Sequence, residues 1–312
     1  MKILVTGGCG YTGTLLVQKL LKQNHEVIVI DNQWFGNHLK KHKKLKIIKK
    51  DIRSLGSFNF KNVKTVVHLA NIANDPSVEL NPNLSWDVNV IATKQLIEKC
   101  IKFKVKSFIF ASSGSVYGIK KEKQVTENLE LVPISIYNKT KMIAERVLMS
   151  YQNLIKIYCI RPATVCGYSP RMRLDITVNM FAMQALKNKK ITVHGGKQIR
   201  PNIHINDLIN IYLHFIKKPS LPSGFYNAGF ENLRVIDIAK KVKKVIDTKI
   251  IIKNIKDVRS YRQNSNKLLA TGFKRQYGVI DAIKDIKQKF LENKIKDELS
   301  CYTVKWMKKL NL

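Results

Sequence analysis

Short apolar runs alternate with longer amphipathic stretches through the first half of the chain. Continuous apolar runs are typical of strands buried on both faces of a parallel sheet, whereas apolar residues three and four apart are typical of helices. The alternation therefore predicts βαβ units around a parallel sheet. The predicted strands are residues 3–5, 27–30, 45–48, 65–69, 107–110 and 157–160, and the predicted helices are residues 14–23, 89–102, 134–151 and 207–216.

The pattern changes after Arg161 and Pro162, where polar loops and shorter apolar runs begin. We expect a doubly wound α/β domain with a parallel sheet, joined to a smaller and more irregular α/β lobe that is interleaved with it. Residues 1–166 form the larger domain, to which residues 203–226 return. Residues 167–202 and 227–312 form the smaller lobe. Ligands of doubly wound sheets bind at the carboxyl ends of the strands, so the cleft between the two parts is the expected site.

Composition adds a strong positive charge to this picture. The chain has 312 residues, of which 45% are apolar, and a formal net charge of +34. Such a charge is compatible with RNA binding, which stays a remote alternative. Lysines occur in nearly every segment, and the densest run, residues 40–44, has no interleaved aromatic residues. We therefore expect no nucleic-acid partner and interpret the charge as favouring anionic substrates.

The cysteines and the apolar segments restrict the setting of the protein. The five cysteines are scattered, odd in number and without a CxxC pair, so we expect no disulfide framework, no metal site and a reducing cytoplasm. No run of about 18 apolar residues predicts a membrane span. Because apolar residues begin at position 3, we also expect no secretory leader.

A glycine-rich turn joins the first predicted strand to the first helix. Gly7, Gly10 and Gly13 allow a tight turn and a close approach of the backbone, so that a pyrophosphate can bind at the helix N-terminus. Asp31 lies eighteen residues after Gly13, at the end of the second strand, where it can accept from both ribose hydroxyls. A carboxylate there repels a 2′-phosphate, which favours NAD over NADP. The alternative is a structural turn followed by a strand-end Asp.

Two further strand ends belong to this predicted Rossmann-type site. Asp51 and Ile52 follow the third strand, where the adenine edge would lie, although Asp51 could equally be a helix N-cap. Leu69 and Ala70 end the fourth strand in a loop suited to pass under the cofactor. We interpret His68 as a packed residue and not as a ligand.

The candidate catalytic residues are Ser113, Tyr137 and Lys141. Tyr137 and Lys141 are four apart on a predicted helix and therefore share one face. The ammonium there could stabilise a phenolate that would otherwise form only near pH ~10. Ser113 and Ser115 follow the fifth strand, so their hydroxyls are expected at the same edge of the sheet. A base beside a hydride acceptor indicates a redox enzyme.

Together these motifs resemble the extended short-chain dehydrogenases/reductases of the nucleotide-sugar epimerase/dehydratase family, in particular its UDP-glucose 4-epimerase-like members. The resemblance implies NAD as the cofactor, and it implies that Ser113, Tyr137 and Lys141 are the catalytic residues. The cofactor-binding residues that it implies are Gly7, Gly10, Tyr11, Thr12, Gly13, Asp31, Asn32, Asp51, Ile52, Leu69, Ala70, Tyr137 and Lys141.

The resemblance also implies a UDP-, GDP- or dTDP-linked sugar as substrate. Arg200 would clamp its diphosphate, a task suited to a planar guanidinium. Arg171 and Arg173 belong to a stretch that is similar to enzymes of surface polysaccharide synthesis, and they could point into the cleft or pair with Asp175. The substrate-binding residues implied are Ser113, Ser115, Asn179, Arg200, Asp257 and Arg259.

The chain departs from the family at two positions that matter for the reaction. Dehydratases of the group carry an Asp-Glu pair after the catalytic hydroxyl residue, where this chain has Gly114 and Ser115. Elimination of water then has no evident proton carrier. We therefore expect an epimerase that acts by transient C4 oxidation, with a C4 dehydrogenase or ketoreductase and a 4,6-dehydratase as alternatives. A homodimer is usual in such families.

Overall fold

The computed structural model describes residues 1–56, 58–254 and 260–312. Its strands are β1 (Lys2–Thr6), β2 (Glu26–Asp31), β3 (Leu45–Lys49), β4 (Val63–His68), β5 (Ser107–Ala111), β6 (Lys156–Pro162), β7 (Thr164–Cys166), β8 (Lys190–His194), β9 (Ile199–His204), β10 (Gly224–Ala228), β11 (Glu231–Arg234) and β12 (Lys249–Lys253). Its α-helices are α1 (Tyr11–Lys22), α2 (Asp75–Val78), α3 (Pro82–Trp86), α4 (Ala92–Lys102), α5 (Ile136–Met149), α6 (Thr177–Asn188), α7 (Ile205–Lys217), α8 (Val235–Val245), α9 (Asn266–Ala270), α10 (Val279–Leu291) and α11 (Thr303–Lys309).

Seven strands form one parallel sheet in the order β10-β6-β5-β4-β1-β2-β3. Chain order reverses between β1 and β4, which is the crevice where doubly wound sheets bind ligands. In register, Thr6 lies between Ile30 and His68, so β1, β2 and β4 end at the same level. This architecture confirms the predicted fold class and all six predicted strands.

The central strands are buried because helices cover both faces of the sheet. Ile3 and Val5 point to one face, where their core includes residues of α1 and α7. Leu4 points to the other face, where its core includes residues of α4 and α5. Alternate residues of β1 therefore serve two cores, which is why the strand is a continuous apolar run.

The remaining strands form two small sheets, in the orders β11-β9-β7 and β12-β8. Helices α6, α8 and α10 pack together beside them. The sequence predicted an irregular region here and missed α6, α8 and α10. In α6, Asn179 is a buried polar residue among apolar ones and interrupts the apolar periodicity.

Strand β10 belongs to the large sheet, where it pairs with β6. Helix α7 packs on α1, beside the same sheet. The C-terminal helix α11 also leaves the small sheets and packs against α2. Trp306 Nε1 donates to the carbonyl oxygen of Trp34 at 2.6 Å, and Met307 joins the core under α4 and α5. The exact domain limits in the sequence stay a prediction.

Three observations describe the chemical setting of the fold. Within the described ranges, no α-helix is long and apolar enough to cross a bilayer. The same residues contain no cluster of three or more His, Cys, Asp or Glu side chains arranged to hold a metal ion. Each of the five cysteines is buried and has a free thiol.

Candidate active site

A cleft opens at the carboxyl ends of β1, β2, β4 and β5, as the topology requires. Its other wall comes from the chain after β6, from α7 and from the C-terminal region. The lining residues that concern the site are Gly7, Gly10, Tyr11, Thr12, Gly13, Asp31, Asn32, Phe35, Asp51, Ile52, Leu69, Ala70, Asp75, Ser113, Ser115, Tyr137, Arg171, Arg173, Tyr261, Thr303 and Met307.

The glycine turn fits a dinucleotide because it leaves no room for side chains. Gly7 has φ +70°, and a Cβ there would lie 2.6 Å from the backbone nitrogen of Ala70. A Cβ on Gly13 would overlap the carbonyl oxygen of Gly7. Gly10 precedes α1, whose N-terminus has no side-chain cap and no acidic residue in its first turn. The amides of this helix end can therefore hold phosphate oxygens.

Asp31 ends β2 and faces the cleft beside this turn. Its Oδ2 accepts from the Cys9 amide at 2.9 Å, and its Oδ1 accepts from the Gln33 amide at 2.7 Å. Burial raises the pKa of Asp31, and the two amides and Arg171 oppose that rise. Asn32 also lines the cleft, where its Oδ1 accepts from the Trp34 amide at 3.2 Å. The remaining lone pairs of Asp31 can accept from ribose hydroxyls.

Asp51 and Ile52 lie at the far end of the cleft. Asp51 is an N-cap, accepting from the Arg53 amide at 2.8 Å, and it also pairs with the Arg53 guanidinium at 2.9 Å. Burial acts to raise the pKa of Asp51, but the hydrogen bonds from Arg53 outweigh it, and the pKa is lowered. Ile52 is buried and presents an apolar surface to the cleft. Both alternatives left open for Asp51 are therefore compatible with its position.

The floor of the cleft follows β4, where the Leu69 amide donates to the Thr6 carbonyl oxygen at 3.0 Å. His68 is buried beneath it and hydrogen-bonds Thr6 at 2.6 Å and Thr93 at 2.9 Å. Burial lowers the pKa of His68 to about 3, so the imidazole stays neutral. His68 is thus a packed residue, as the sequence indicated.

Asn89 supports this floor from a π-helical turn before α4, and the sequence analysis gave it no role. Its Oδ1 accepts from the Ile72 amide at 2.8 Å, and its Nδ2 donates to the Ile72 carbonyl oxygen at 3.1 Å. The same Nδ2 donates to Thr140 at 3.1 Å, on α5. An Asn in an otherwise apolar helical pattern was the signal that could have identified it.

Helix α5 presents Tyr137 to the cleft, and Lys141 lies buried one turn further along the helix. Ser135 caps the helix by accepting from the Asn138 amide at 3.1 Å, and its own hydroxyl donates to Asp75. Lys141 is 1% exposed, and its Nζ donates to the Ala111 carbonyl oxygen at 2.8 Å. The Nζ atom lies 6.0 Å from the centre of the Tyr137 ring. The predicted pairing of the two side chains on one helix face is present.

Burial controls the electrostatics of the pair in the cofactor-free cleft. Burial raises the pKa of Tyr137 to about 12, and a hydrogen bond with Ser113 opposes that rise. Burial also lowers the pKa of Lys141 to about 7, which Glu145 opposes. Burial thus disfavours both charged forms. The expected stabilisation of a Tyr137 phenolate by Lys141 stays a prediction.

Ser113 and Ser115 lie next to Tyr137 in the loop after β5. Ser113 Oγ accepts from the Ser115 amide at 3.1 Å and lies 2.7 Å from Ser115 Oγ. The intervening Gly114 has little space around it. A Cβ on Gly114 would lie 3.1 Å from the side chain of Gln263 and from the hydroxyl of Tyr261. Residues from the C-terminal part thus occupy the space beside the position where dehydratases carry an acid.

The predicted substrate residues do not all line the cleft. Asn179 does not line the cleft: it accepts from the Gly167 amide at 3.0 Å and donates to Tyr11 Oη at 3.1 Å. Arg200 lies on β9, close enough to Tyr261 to oppose the burial that raises the pKa of that phenol. The roles of Asn179 and Arg200 at substrate phosphates stay predictions.

Two of the predicted substrate residues, Asp257 and Arg259, lie outside the described residues.

Arg171 and Arg173, whose role the sequence left open, both line the cleft. The guanidinium carbon of Arg171 lies 4.1 Å from the centre of the Phe35 ring. Arg173 Nε donates to Asp175 Oδ1 at 2.9 Å. Arg173 therefore both faces the cleft and pairs with Asp175.

Fold and cleft together define an enzyme that binds a dinucleotide beside a Ser-Tyr-Lys site. The sequence model of the NAD dependent epimerase/dehydratase family matches residues 3–229. The chain belongs to this family, and its cofactor is NAD.

Three relatives illustrate the similarity. An uncharacterized UDP-glucose epimerase of Bacillus subtilis is 32% identical over 266 residues, covering 78% of this chain and 82% of the relative. The UDP-glucose 4-epimerase of Thermotoga maritima, solved with UDP-glucose, superposes with a TM-score of 0.84 at 26% identity, covering 94% of this chain and 99% of that one. The UDP-glucuronic acid 4-epimerase of Bacillus cereus, solved with UDP-glucuronic acid and NAD, gives 0.80 at 28% identity, covering 92% and 99%.

Proposed function

We propose that this enzyme is an NAD-dependent nucleotide-sugar epimerase that acts by transient oxidation at C4 of the sugar. The observation that carries the proposal is that Ser113 and Tyr137 line the same cleft as the glycine turn, with Lys141 Nζ 6.0 Å from the centre of the Tyr137 ring. This site has Gly114 and Ser115 in place of the dehydratase acids. The three relatives described above are UDP-sugar epimerases by name, which supports the same conclusion.

NAD, when bound, would supply the hydride acceptor for oxidation at C4 and the hydride donor for return to the other face of the sugar. Tyr137 removes the proton of the C4 hydroxyl. Its pKa of about 12 in the cofactor-free cleft is too high for a base at neutral pH, so Tyr137 can act as the base only when bound groups lower that pKa. Ser113 hydrogen-bonds the same sugar oxygen and stabilises charge while the carbonyl forms.

Lys141 mainly positions the reacting groups and takes little part in the proton transfer from the C4 hydroxyl. Its Nζ donates to the Ala111 carbonyl oxygen and has further hydrogens for the nicotinamide ribose. Its lowered pKa means that it needs an anionic or hydroxyl partner to keep its charge in the closed site. A bound ribose and an ionised Tyr137 together provide such partners.

The surroundings of Gly114 argue against 4,6-dehydration. That reaction needs an acid and a base near C5 and C6, and neither Gly114 nor Ser115 has a carboxyl group. Asp75 brings a carboxylate into the cleft, but that carboxylate accepts the Ser135 hydroxyl and so fixes the N-cap of α5. Among the described residues, elimination therefore has no free carboxyl group beside Gly114 to carry its protons.

The substrate of this proposal is a sugar linked to UDP, GDP or dTDP. The net charge of +34 favours a dianionic substrate in general, and Arg200 near Tyr261 is the candidate for its diphosphate. A cytoplasmic location and a homodimer agree with five free thiols and with the family resemblance, and both are predictions.

A substrate panel tests the proposal. Purified enzyme is incubated with UDP-, GDP- and dTDP-linked hexoses and uronic acids, and the products are resolved by NMR. The expected result is a C4 epimer without release of reduced cofactor. A 4-keto-6-deoxy sugar as the main product would contradict the proposal in favour of dehydration.

A C4 dehydrogenase or ketoreductase is the nearest alternative, because it uses the same three residues. Release of reduced cofactor in equal amount to a keto-sugar would identify that reaction. Tyr137→Phe is the control in each assay, since it keeps the ring and removes the hydroxyl.

A further inference from the structure

Residues 167–175, which follow β7 and are named here the arginine segment, are fastened to the start of α1. Tyr11 Oη donates to the Gly167 carbonyl oxygen at 2.6 Å, and Ser169 Oγ donates to the Tyr11 carbonyl oxygen at 2.7 Å. Asn179 reinforces the contact, since its Nδ2 donates to the Arg173 carbonyl oxygen at 2.9 Å. Tyr11, Gly167, Ser169 and Asn179 are buried, and Arg173 is half-buried. The arginine segment therefore has a fixed position beside the helix N-terminus.

Both arginines of the segment carry their charge to this helix end. Each lies close enough to Tyr11, the first residue of α1, to oppose the rise of its pKa. Arg171 also acts on the pKa of Asp31, and Arg173 acts on that of Tyr137. Arg171 is therefore near Asp31, and Arg173 is near Tyr137. Both arginines line the cleft that also contains the glycine turn.

Arg171 is the more unusual of the two. It is 5% exposed, and its Nε has no hydrogen-bond partner within the described part of the chain. Its guanidinium lies over Phe35, and no described carboxylate is within ion-pair distance of it; Asp175 forms its ion pair with Arg173. Burial, and then Arg173, lower the pKa of Arg171 to about 10, and Asp175 opposes that fall from a greater distance. A buried guanidinium without an ion-pair partner is costly, so this position is suited to an anionic ligand.

Three positive features therefore converge: two guanidinium groups and an uncapped helix N-terminus. We infer that Arg171 and Arg173 bind the diphosphate of NAD from the arginine segment, so that the cofactor is held between the glycine turn and this segment. The inference rests on NAD as the cofactor and is independent of which reaction follows at C4.

The arrangement accounts for two features of the sequence. The arginines alternate, so an extended segment directs both to the same side. Tyr11, Ser169 and Asn179 then serve to position this segment, and the Tyr11 and Asn179 side chains support the cofactor site through it.

Binding measurements on cofactor-free protein test the inference with four probes: NAD, ADP, adenosine and UDP. Arg171→Met and Arg173→Met should each weaken NAD and ADP about 10- to 100-fold, the effect of losing a hydrogen bond to a charged group. Adenosine affinity should be unchanged. Arg234→Met, which removes an exposed arginine outside the cleft, is the matched control and should leave all four affinities unchanged.

Ionic strength gives a second readout. NAD affinity of the wild type should fall more steeply with salt than that of Arg171→Met, because the variant has lost a charge contact. Arg171→Lys should recover part of the ADP affinity, since it keeps the charge and loses the planar fork. Circular dichroism checks that each variant is folded.

Four other outcomes would contradict the inference. Equal loss of adenosine and ADP affinity would mean that Arg171 only organises the Phe35 region. Loss of UDP affinity with intact NAD and ADP affinity would assign the arginines to the substrate diphosphate. Unchanged affinities, or a wild type that binds neither NAD nor ADP, would also overturn it. Intact NAD binding without turnover of any nucleotide sugar would instead overturn the proposed function alone.

Discussion

The guanidinium of Arg161 and the carboxylate of Glu145 form a bidentate ion pair, with Nε–Oε1 at 2.9 Å and Nη2–Oε2 at 2.7 Å. Their side chains are 2% and 0% exposed. Glu145 lies on α5 and Arg161 on β6, and Arg161 Nη1 also donates to Tyr117 Oη at 2.8 Å. The pair therefore fixes the helix that carries Tyr137 to the large sheet.

Glu145→Gln should destabilise the protein by about 3–5 kcal/mol, because it leaves a buried guanidinium without its charge partner. Urea denaturation measures the loss. Asp237→Asn, which breaks the exposed pair with Arg234, is the control and should have little effect. Equal and small losses in both variants would show that the buried pair does not hold α5.

Lys141 should make the stability depend on pH. Its pKa is about 7 in the folded protein, and an unfolded lysine titrates near ~10.4. Above pH 7 the unfolded state then binds the additional proton, so the free energy of unfolding rises with pH, by ~1 kcal/mol between pH 7 and 8. Below pH 7 Lys141 is charged in the folded protein, and the burial of that charge lowers the free energy of unfolding.

Urea denaturation of the wild type and of Lys141→Met at pH 7 and 8 measures this slope. The variant should lose the rise, whereas Lys139→Met, an exposed residue of the same helix, should keep it. A wild-type slope that persists in Lys141→Met would mean that another group is responsible.

Gly114→Asp should not create a dehydratase. A Cβ at this position already approaches Gln263 and the Tyr261 hydroxyl to 3.1 Å, so a carboxylate is expected to cost about 1–3 kcal/mol through overpacking. Urea denaturation gives the loss, and NMR shows whether any 4-keto-6-deoxy sugar forms. Adding Tyr261→Phe removes one of the close atoms and should recover part of the stability. A fully stable Gly114→Asp variant would contradict this account of the departure.

The rate should rise with pH up to the pKa that Tyr137 has with the cofactor bound, and it should level off above that pKa. Below its pKa, a phenol gains about tenfold in ionised fraction per pH unit, and the pKa of about 12 that Tyr137 has before the cofactor binds must fall when it does. Steady-state kcat/KM between pH 6 and 9 measures the profile. Tyr137→Phe should be about 10²- to 10⁴-fold slower and should lack the pH dependence of the wild type, with NAD affinity retained. The same pH dependence in Tyr137→Phe would exclude Tyr137 as the base.

Much of the redox core was accessible from the sequence because it depends on local patterns. Continuous apolar runs predicted six of the seven strands of the large sheet, and the spacing of Tyr137 and Lys141 follows from helix periodicity. Gly7 and Gly13 lie in a turn whose close packing excludes side chains, as the motif predicts.

The rest depends on contacts between distant parts of the chain. Nothing local indicates that Arg171 lies over Phe35, or that Tyr261 fills the space beside Gly114. The raised pKa of Tyr137 has the same origin, since burial is a property of the folded cleft. Helix α6 was missed because its buried face includes the polar residue Asn179. The amide of Asn179 is bonded to the arginine segment, a contact that only the folded chain shows.

The fate of deuterium at C4 of the nucleotide sugar tests the central claim most directly. The enzyme is given its accepted substrate labelled at C4, and the product is analysed by NMR and mass spectrometry. We predict a C4 epimer that retains the deuterium at C4, formed about 10²- to 10⁴-fold more slowly by Tyr137→Phe. Deuterium found at C6, in released cofactor or in the solvent, or full turnover by Tyr137→Phe, would contradict the account.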